Sequence, residues 1–434
     1  MAQTTKHKVL FGDELHTDIP HINSNTAKCF LSGRAKSGQE VTIPLGDDIF
    51  SKHIMFLGGI GTGKTNAFYQ IVSQLKEKMT KDDIMIVFDT KGDFYKEFYL
   101  PGDIVLSNDE TATGDNSVDY WNLFNEIGQD EQVNENILEI SKSVFAEACE
   151  KTNQVFFPNA AKDLFYAVIS HFIKSVPPAG RTNKNLMNFL FSTPSNELRE
   201  MLQSYPEFRA MSSYIAYDDS AQTQGVMSEL QQVVREIFVG NFAKHGTLSL
   251  RNLVRCKGGK TVFIEYDLSL GSMLTPIYSL MFDIAIKTAL GRKRSEGNVY
   301  FITDEFRLLP HLKHIDDAVN FGRSMGIKFL IGIQNVEQIY DNYGEERARS
   351  ILSGFSTSIT FRLNDEKSRE YAKGIFGKNR KQDIYMPVVQ TKGLTEELRE
   401  ANVVEDWDIT GLDIGEAIIG FPGCEPFIFK FDKY

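Results

Sequence analysis

The sequence predicts an α/β fold with a mainly parallel central sheet and an inserted all-α domain. Three observations predict it. Short apolar runs alternate with helical patterns at the start of the chain and again in its second half, which is typical of a parallel sheet covered by helices. The stretch between them, residues 126–240, carries helical patterns with few convincing strands. A glycine-rich turn joins the first strand of the alternation to its first helix.

The amino-acid composition excludes several classes of protein. The 434 residues are enough for about two or three domains of ~100–200 residues each. Lys and Arg total 47 and Asp and Glu total 58, so the net charge is −11, and 42% of the residues are hydrophobic. Disordered, collagen-like and coiled-coil proteins are therefore excluded. The acidic total argues against coating nucleic acid by bulk charge, but it leaves a local basic channel open.

Cysteine spacing and hydropathy favour a cytoplasmic protein. The four cysteines are far apart and lack metal-ligand spacing, which is typical of a reducing compartment. The first residues contain no apolar core of a signal peptide. The longest apolar stretch, Met273–Leu290, carries Asp283 and Lys287. We therefore expect a buried core helix there, and no segment that crosses a membrane by itself.

The α/β alternation begins within residues 1–125, which we assign to the first part of the main domain. Its predicted elements are strands at Val41–Leu45 and Ile54–Leu57, a helix at 65–79 and a strand at Ile84–Phe88. The inserted all-α domain is predicted at residues 126–240. Its predicted helices are Asn134–Cys149, Asn159–Lys174, Ser195–Ser204 and Thr223–Phe238.

Residues 241–434 return to strand–helix alternation and complete the main domain. The predicted strands are Thr261–Glu265, Val299–Thr303, Lys328–Ile333 and Ser358–Phe361. The predicted helices are Leu274–Leu290, Asp316–Ser324, Glu345–Leu352 and Glu366–Ile375. A closing hairpin is predicted over Glu416–Phe431.

The turn after the strand Ile54–Leu57 carries the clearest chemical signal. Gly58-Gly-Ile-Gly-Thr-Gly-Lys-Thr65 fits G-x-x-x-x-G-K-[ST] between a predicted strand and a predicted helix, which is the context the motif requires. Glycines let backbone N–H groups approach phosphate oxygens, and the helix N-terminus adds partial positive charge. Lys64 supplies a charge for the β- and γ-phosphates, and the Thr65 hydroxyl can ligate Mg²⁺. We therefore expect ATP and Mg²⁺ as cofactors. The predicted binding residues are Gly58, Gly59, Ile60, Gly61, Thr62, Gly63, Lys64, Thr65 and Asn66.

An acidic residue at the end of a neighbouring strand must help to hold the magnesium ion. Asp304 follows the strand Val299–Thr303, and Glu305 comes next. In this interpretation Asp304 holds Mg²⁺ through water, and Glu305 orients and deprotonates the attacking water. Asp89, at the end of Ile84–Phe88, is the alternative metal acid. The pair Asp304 and Glu305 can also be a simple acidic cap of the segment that follows.

Two further residues are candidates for catalysis. Gln334 ends the strand Lys328–Ile333 and is placed to sense the γ-phosphate, although a strand-end amide can also simply cap the next helix. Arg323 precedes that strand and is a candidate arginine finger for the nucleotide of a neighbouring subunit. Such fingers change rates by about 10³–10⁵-fold. Arg347, Arg349 and Arg362 are rivals for this role.

Five further segments match the pattern of a known family. They are Val87–Asp93, Asp119–Phe124, Phe301–Pro310, the stretch from Gly332 to Gly344, and Phe361–Asp365. Together with the glycine-rich loop, they make the chain resemble the conjugative type IV coupling proteins over about residues 40–430. That family belongs to the FtsK–HerA group of ring ATPases.

The resemblance implies a RecA-like P-loop NTPase with an all-α domain. It implies DNA-stimulated ATP hydrolysis by a homo-hexameric ring. The ring is expected to pump DNA, with single-stranded DNA as the expected form, during conjugation or plasmid mobilisation. Arg323 falls where members carry a candidate arginine finger. The residues expected to act in catalysis are Lys64, Glu305, Arg323 and Gln334. Relaxase or adaptor proteins are expected to bind through residues 126–240.

One feature departs from the family. Typical members begin with membrane-spanning helices, and this sequence begins without them. We expect a cytoplasmic protein, peripheral at most at the inner face of the cell membrane, with membrane contact only through partners. An ATP-regulated recruitment platform and a soluble HerA-like DNA-processing or defence ATPase remain open. A metabolic P-loop kinase is disfavoured by Asp304, Glu305 and Gln334. The basic clusters Arg292–Arg294 and Lys378–Lys381 are either DNA contacts or solvated faces.

Overall fold

The computed structural model describes residues 3–22, 26–108, 119–128, 131–291, 296–386 and 395–434. The strands in chain order are β1 (Gln3–Phe11), β2 (Ala27–Ala35), β3 (Glu40–Gly46), β4 (Ile54–Leu57), β5 (Ile84–Asp89), β6 (Ile104–Leu106), β7 (Lys260–Glu265), β8 (Val299–Thr303), β9 (Ile327–Ile333), β10 (Thr357–Phe361), β11 (Lys378–Met386), β12 (Thr395–Asn402), β13 (Glu416–Gly420) and β14 (Phe427–Phe431).

The helices lie between these strands, and about half of them were predicted with ends that differ by only a few residues. In chain order they are α1 (Asp47–Phe50), α2 (Lys64–Lys78), α3 (Asp93–Phe98), α4 (Leu123–Ile127), α5 (Val133–Val144), α6 (Ala146–Glu150), α7 (Phe156–Ser175), α8 (Asn183–Ser192), α9 (Ser195–Ser204), α10 (Ala221–Ile237), α11 (Leu250–Cys256), α12 (Gly271–Leu290), α13 (Ile315–Phe321), α14 (Glu337–Tyr343), α15 (Glu345–Ser353), α16 (Glu366–Phe376) and α17 (Asp406–Thr410). The predicted helix Asn134–Cys149 is divided between α5 and α6.

The chain divides into two compact units. The first comprises Met1–Thr80, Tyr300–Arg307 and Val319–Tyr434, and the second comprises Lys81–Val299 and Leu308–Ala318. The predicted insertion at 126–240 lies within the second unit and contains the end of α4 and the helices α5 to α10. The second unit is larger than this insertion because α12 packs against α5, α10 and α11. The domain limits at 126 and 240 stay a prediction.

The first unit is built on a sheet with the strand order β3-β2-β14-β13-β10-β4-β9-β8. The strand β4 pairs in parallel with β9 on one side and β10 on the other. All residues of β4, β9 and β10 are buried, as expected for parallel strands covered on both faces. The parallel core and the closing hairpin of β13 and β14 are confirmed.

The same sheet has an antiparallel extension that was only partly predicted. The strands β13, β14, β2 and β3 pair antiparallel in succession. A separate antiparallel sheet with the order β1-β11-β12 was not predicted at all. The strands β11 and β12 are rich in charged residues, and β1 is polar except for Val9–Phe11, so none of them has the longer apolar run that identifies a buried strand.

The second unit contains the parallel strands β5, β7 and β6, with β7 in the middle. Its helices pack around a core that includes Leu164 and Phe165 of α7 and Val226 and Leu230 of α10, all fully buried. Among the described residues, α12 is long and apolar enough to cross a membrane by length and composition alone. Of its window Met273–Leu290, 61% is buried within the protein, which agrees with the expected core helix.

Candidate active site

The loop between β4 and α2 is fixed against the ends of two neighbouring strands. The N–H of Gly58 donates to the carbonyl oxygen of Ile333 at 3.0 Å, and the N–H of Gly59 donates to that of Arg362 at 3.0 Å. A side chain on Gly58 would lie 2.6 Å from Cβ of Phe361, so the packing requires glycine there. Because β4 lies between β9 and β10, the loop and the carboxyl ends of both neighbours share one edge of the sheet.

The loop turns back on itself before α2 begins. Gly61 has φ +71° and Gly63 has φ +111°, which is the left-handed region that favours glycine. The Thr62 hydroxyl donates to the carbonyl oxygen of Gly59 at 2.9 Å and closes the turn. Gly63 directly precedes α2, so the turn leads into a helix N-terminus whose first N–H groups point toward the loop. This is the backbone arrangement that binds phosphate groups.

The side chains of the motif differ in their surroundings. Lys64 is 8% exposed, and its ammonium donates to the carbonyl oxygens of Gly58 and, at 2.9 Å, of Gly59. Thr65 is half-buried on the first turn of α2, and Ile60 at the tip of the loop is 84% exposed. The structure therefore holds the charge of Lys64 inside the loop.

Asn66 takes part in a contact that the sequence did not indicate. Its side-chain N–H group donates to the carbonyl oxygen of Asp432, and its side-chain oxygen accepts from the N–H of Tyr434, both at 2.8 Å. Its side chain therefore connects α2 to the residues after β14. A role for Asn66 in nucleotide binding would fall to its backbone N–H.

The acidic residues at the end of β8 lie at the same edge of the sheet. A side chain on Gly332, in β9, would lie 2.3 Å from the carbonyl oxygen of Asp304. This close approach explains a glycine inside an otherwise apolar strand. Because β9 lies between β8 and β4, it places Asp304, Glu305 and Gln334 beside the glycine-rich loop.

Glu305 and Gln334 are brought into direct contact. Glu305 is 7% exposed, and one of its carboxylate oxygens accepts a hydrogen bond from the amide of Gln334. Its other carboxylate oxygen accepts from Nε of Arg307 at 2.9 Å. Arg307 had no predicted role. An arginine two residues after the acid is visible in the sequence, but this pairing depends on the 3₁₀ turn Phe306–Leu308, which the pattern did not indicate.

Arg323 is not part of this cluster. It lies in the 3₁₀ turn Gly322–Met325 before β9 and is exposed, and its side chain forms no ion pair or hydrogen bond with the described residues. Two of its rivals have local contacts: Arg347 lies over the ring of Tyr343 at 5.3 Å, and Arg349 pairs with Glu345 at 2.5 Å. The third rival, Arg362, is half-buried, and its carbonyl oxygen accepts from the N–H of Gly59. The role of Arg323 as an arginine finger stays a prediction.

The alternative metal acid, Asp89, is engaged in its own turn. It ends β5 in the second unit and is 1% exposed. Its carboxylate accepts from the N–H of Tyr95 at 2.8 Å and of Lys91 at 3.3 Å. These bonds stabilise the turn into α3, which supports a structural role for Asp89 and favours Asp304 as the metal acid.

One of the two predicted basic clusters lies among the described residues. Lys378–Lys381 lies on β11, where Lys378 pairs with Glu400 at 2.7 Å across to β12. Arg380 is exposed on the same strand. The second cluster, Arg292–Arg294, lies outside the described residues. A role in DNA binding stays a prediction for both.

Sequence comparison relates the chain to proteins of one kind. Residues 39–403 match the family described as the type IV secretion-system coupling protein DNA-binding domain. The coupling protein TraD of Escherichia coli strain K12 is 22% identical over 453 aligned residues, which cover 100% of this chain and 59% of TraD. The chain thus spans 59% of the length of that relative.

Solved structures share the fold. TrwBdeltaN70, a bacterial conjugative coupling protein in its unbound monoclinic form, gives a TM-score of 0.76 at 19% identity over 94% of this chain and 89% of that one. The plasmid coupling protein TrwB in complex with ADP and Mg²⁺ gives 0.74 at 18% identity over 100% and 97%. VirB4 of Thermoanaerobacter pseudethanolicus gives 0.59 at 12% identity over 96% and 98%. At these identities the likeness concerns the fold, and the RecA-like α/β fold is confirmed.

Proposed function

Because this chain belongs to the family of type IV secretion-system coupling protein DNA-binding domains, we propose that it is an ATP-hydrolysing DNA translocase. One observation carries the proposal: the phosphate-binding loop, Glu305 and Gln334 lie together at one edge of the sheet. A phosphate cradle beside a buried carboxylate is what hydrolysis of a nucleoside triphosphate requires.

The loop binds the phosphates of ATP. The N–H groups at the start of α2 and the ammonium of Lys64 interact with the β- and γ-phosphates. Thr65 and Asp304 supply oxygen ligands of the kind Mg²⁺ prefers. Among the described residues, no group of three or more His, Cys, Asp or Glu side chains can hold a metal ion. This agrees with an ion held jointly by few protein oxygens, phosphates and water, and such an ion neutralises phosphate charge.

Glu305 acts as the general base. Its carboxylate orients and deprotonates the attacking water, a contribution of about 10²–10⁴-fold. Gln334 contacts that carboxylate and follows β9, so it can report the loss of the γ-phosphate to the rest of the subunit. Arg323 acts on the nucleotide of a neighbouring subunit in a homo-hexameric ring, where it stabilises charge on the transferring phosphoryl group.

The substrate is DNA or a relaxase–DNA complex moved during conjugation or plasmid mobilisation. The net charge of −11 fits this role if cations are concentrated along the DNA path. Partner proteins bind through residues 126–240. The protein acts in the cytoplasm at the inner face of the cell membrane, with membrane contact made through those partners.

Measuring ATP hydrolysis with and without DNA tests the proposal. We expect single-stranded DNA to raise the rate at low salt, and the apparent DNA affinity to fall steeply as salt increases. Lys64→Ala is the control and should abolish hydrolysis under every condition. A rate indifferent to single- and double-stranded DNA at low salt contradicts a translocase. If ATP binding and partner binding persist in that case, the chain is a recruitment platform.

A further inference from the structure

We propose that Arg307 is a positioning residue for ATP hydrolysis, because its guanidinium and the amide of Gln334 together hold the carboxylate of Glu305 in one orientation. This inference rests on the proposed ATPase function and adds a residue that the sequence pattern did not assign.

The two oxygens of the Glu305 carboxylate accept hydrogen bonds from two different side chains. Nε of Arg307 donates to one oxygen of Glu305 at 2.9 Å, and the Gln334 amide donates to the other oxygen. A carboxylate with a donor on each oxygen cannot rotate about its own axis without breaking one of these bonds. The orientation of the base is therefore set by two side chains from different elements.

The backbone of Arg307 is itself fixed by α14. The side-chain N–H group of Asn342 donates to the carbonyl oxygen of Arg307 at 2.7 Å. The preceding residue, Phe306, is fully buried and stacks on Tyr343, with ring centroids 6.0 Å apart and planes within 7°. The 3₁₀ turn after the acidic pair is thus packed from α14, which aims the guanidinium back at Glu305.

Burial separates this pair from an ordinary surface ion pair. The side chain of Glu305 is 10% exposed, whereas that of Arg307 is 43% exposed. An ion pair with a half-exposed cation contributes little to the stability of a protein. The ion pair can nevertheless have a large effect on the rate of hydrolysis, because displacing a catalytic group by about 1 Å can cost about 10²-fold in rate.

Steady-state kinetics of the 434-residue chain test the inference. Arg307→Ala should lower kcat by between about 10-fold and 100-fold and leave KM for ATP within about twofold, because it disturbs the base and not the phosphate cradle. Arg307→Lys should recover part of the loss, since an ammonium can still donate to the carboxylate but lacks the planar fork.

The matched control is Arg399→Ala. Arg399 lies in the same unit, is 43% exposed like Arg307, and donates through Nε to the buried carboxylate of Asp383 at 2.6 Å between β12 and β11, so its removal should leave kcat unchanged. Equilibrium binding of a fluorescent ATP analogue and the melting temperature establish that each variant is folded. Should Arg307→Ala fail to fold, Arg307→Lys and Arg307→Gln carry the same comparison.

Double variants that include Arg307→Ala give a readout that a purely structural role of Arg307 would not change. If Arg307 acts through Glu305, Arg307→Ala should cause no further loss in a Glu305→Gln background, and its effect should be non-additive with Gln334→Ala. An unchanged kcat in Arg307→Ala, a raised kcat, or a raised KM at constant kcat each overturns the inference. The proposed function fails in a different way, namely when the unmodified chain does not hydrolyse ATP.

Discussion

Two buried glutamates, one in each unit, have opposite kinds of surroundings. Glu126, in α4 of the second unit, is 2% exposed, and each of its carboxylate oxygens accepts two hydrogen bonds of 2.7–3.0 Å. The donors are Trp121 Nε1, Ser249 Oγ and the backbone N–H groups of Leu250 and Arg251. Burial raises the pKa of Glu126, and these hydrogen bonds act against the rise.

Glu305, at the edge of the first unit's sheet, is held by donors from side chains. Its donors include the Gln334 amide and the 43% exposed Arg307. Two donors to Glu126 are instead backbone groups at the N-terminus of α11, which cannot turn away without unwinding the helix. Similar burial thus serves different ends. Backbone donors make Glu126 a cross-link between α4 and α11, while side-chain donors from two elements orient Glu305 as a base.

The largest effect is expected from Glu305→Gln. Removing the base should lower kcat for ATP by about 10²–10⁴-fold. The affinity for ATP should stay within a fewfold of the original, because Lys64 and the loop N–H groups are untouched. Steady-state hydrolysis and equilibrium ATP binding, measured side by side, check both parts.

The matching substitution at Glu126 should lower the stability of the protein and not its activity. In Glu126→Gln an amide NH₂ group would face donors, so the free energy of unfolding should fall by about 1–3 kcal/mol. Hydrolysis per folded molecule should not change. Urea denaturation followed by circular dichroism measures the loss. An equally stable variant with impaired turnover would contradict the separation between the two sites.

A smaller effect concerns the pH dependence of the second unit, where His314 bridges Asp283 at 2.9 Å and Glu139 at 3.1 Å. Burial acts to lower the pKa of His314, but hydrogen bonds and charges from the two carboxylates outweigh it and raise this pKa to about 9. Burial acts to raise the pKa of Glu139, but His314 and Lys287 lower it to about 2.

The signs of these shifts define a pH window. The stabilisation from His314 is complete below its unfolded pKa of about 6.5 and is lost as the pH rises through about 9. That from Glu139 is complete above about 4.5 and is lost as the pH falls toward 2. The stabilisation from this pair should therefore be complete between about pH 4.5 and 6.5, and melting temperatures across the pH range measure it against His314→Asn. His314→Asn should flatten the alkaline side of the profile, and an unchanged alkaline side would refute this role of His314.

Much of the site could be predicted because its strands are buried on both faces. The mainly apolar strands β4, β8 and β9 end directly at the glycine-rich loop, at Asp304 and at Gln334. Parallel strands bring such ends to one edge, so sequence order alone indicated which residues would meet.

The parts that were missed lack such a signal. The mostly polar strands β1, β11 and β12 are identified by backbone pairing and not by an apolar pattern. The pairing of Arg307 with Glu305 depends on a 3₁₀ turn packed against α14, and the contacts of Asn66 depend on residues more than 360 positions away. Such contacts follow from tertiary packing, which local patterns do not contain.

The most direct test of the account is a single-turnover experiment on Glu305→Gln. The variant is first loaded with radiolabelled ATP and Mg²⁺, and the conversion of bound ATP to ADP is then followed over time beside the unmodified chain. We expect the variant to keep its ATP bound and uncleaved, while the unmodified chain converts it. Cleavage at the same rate in both would contradict the assignment of Glu305 as the base.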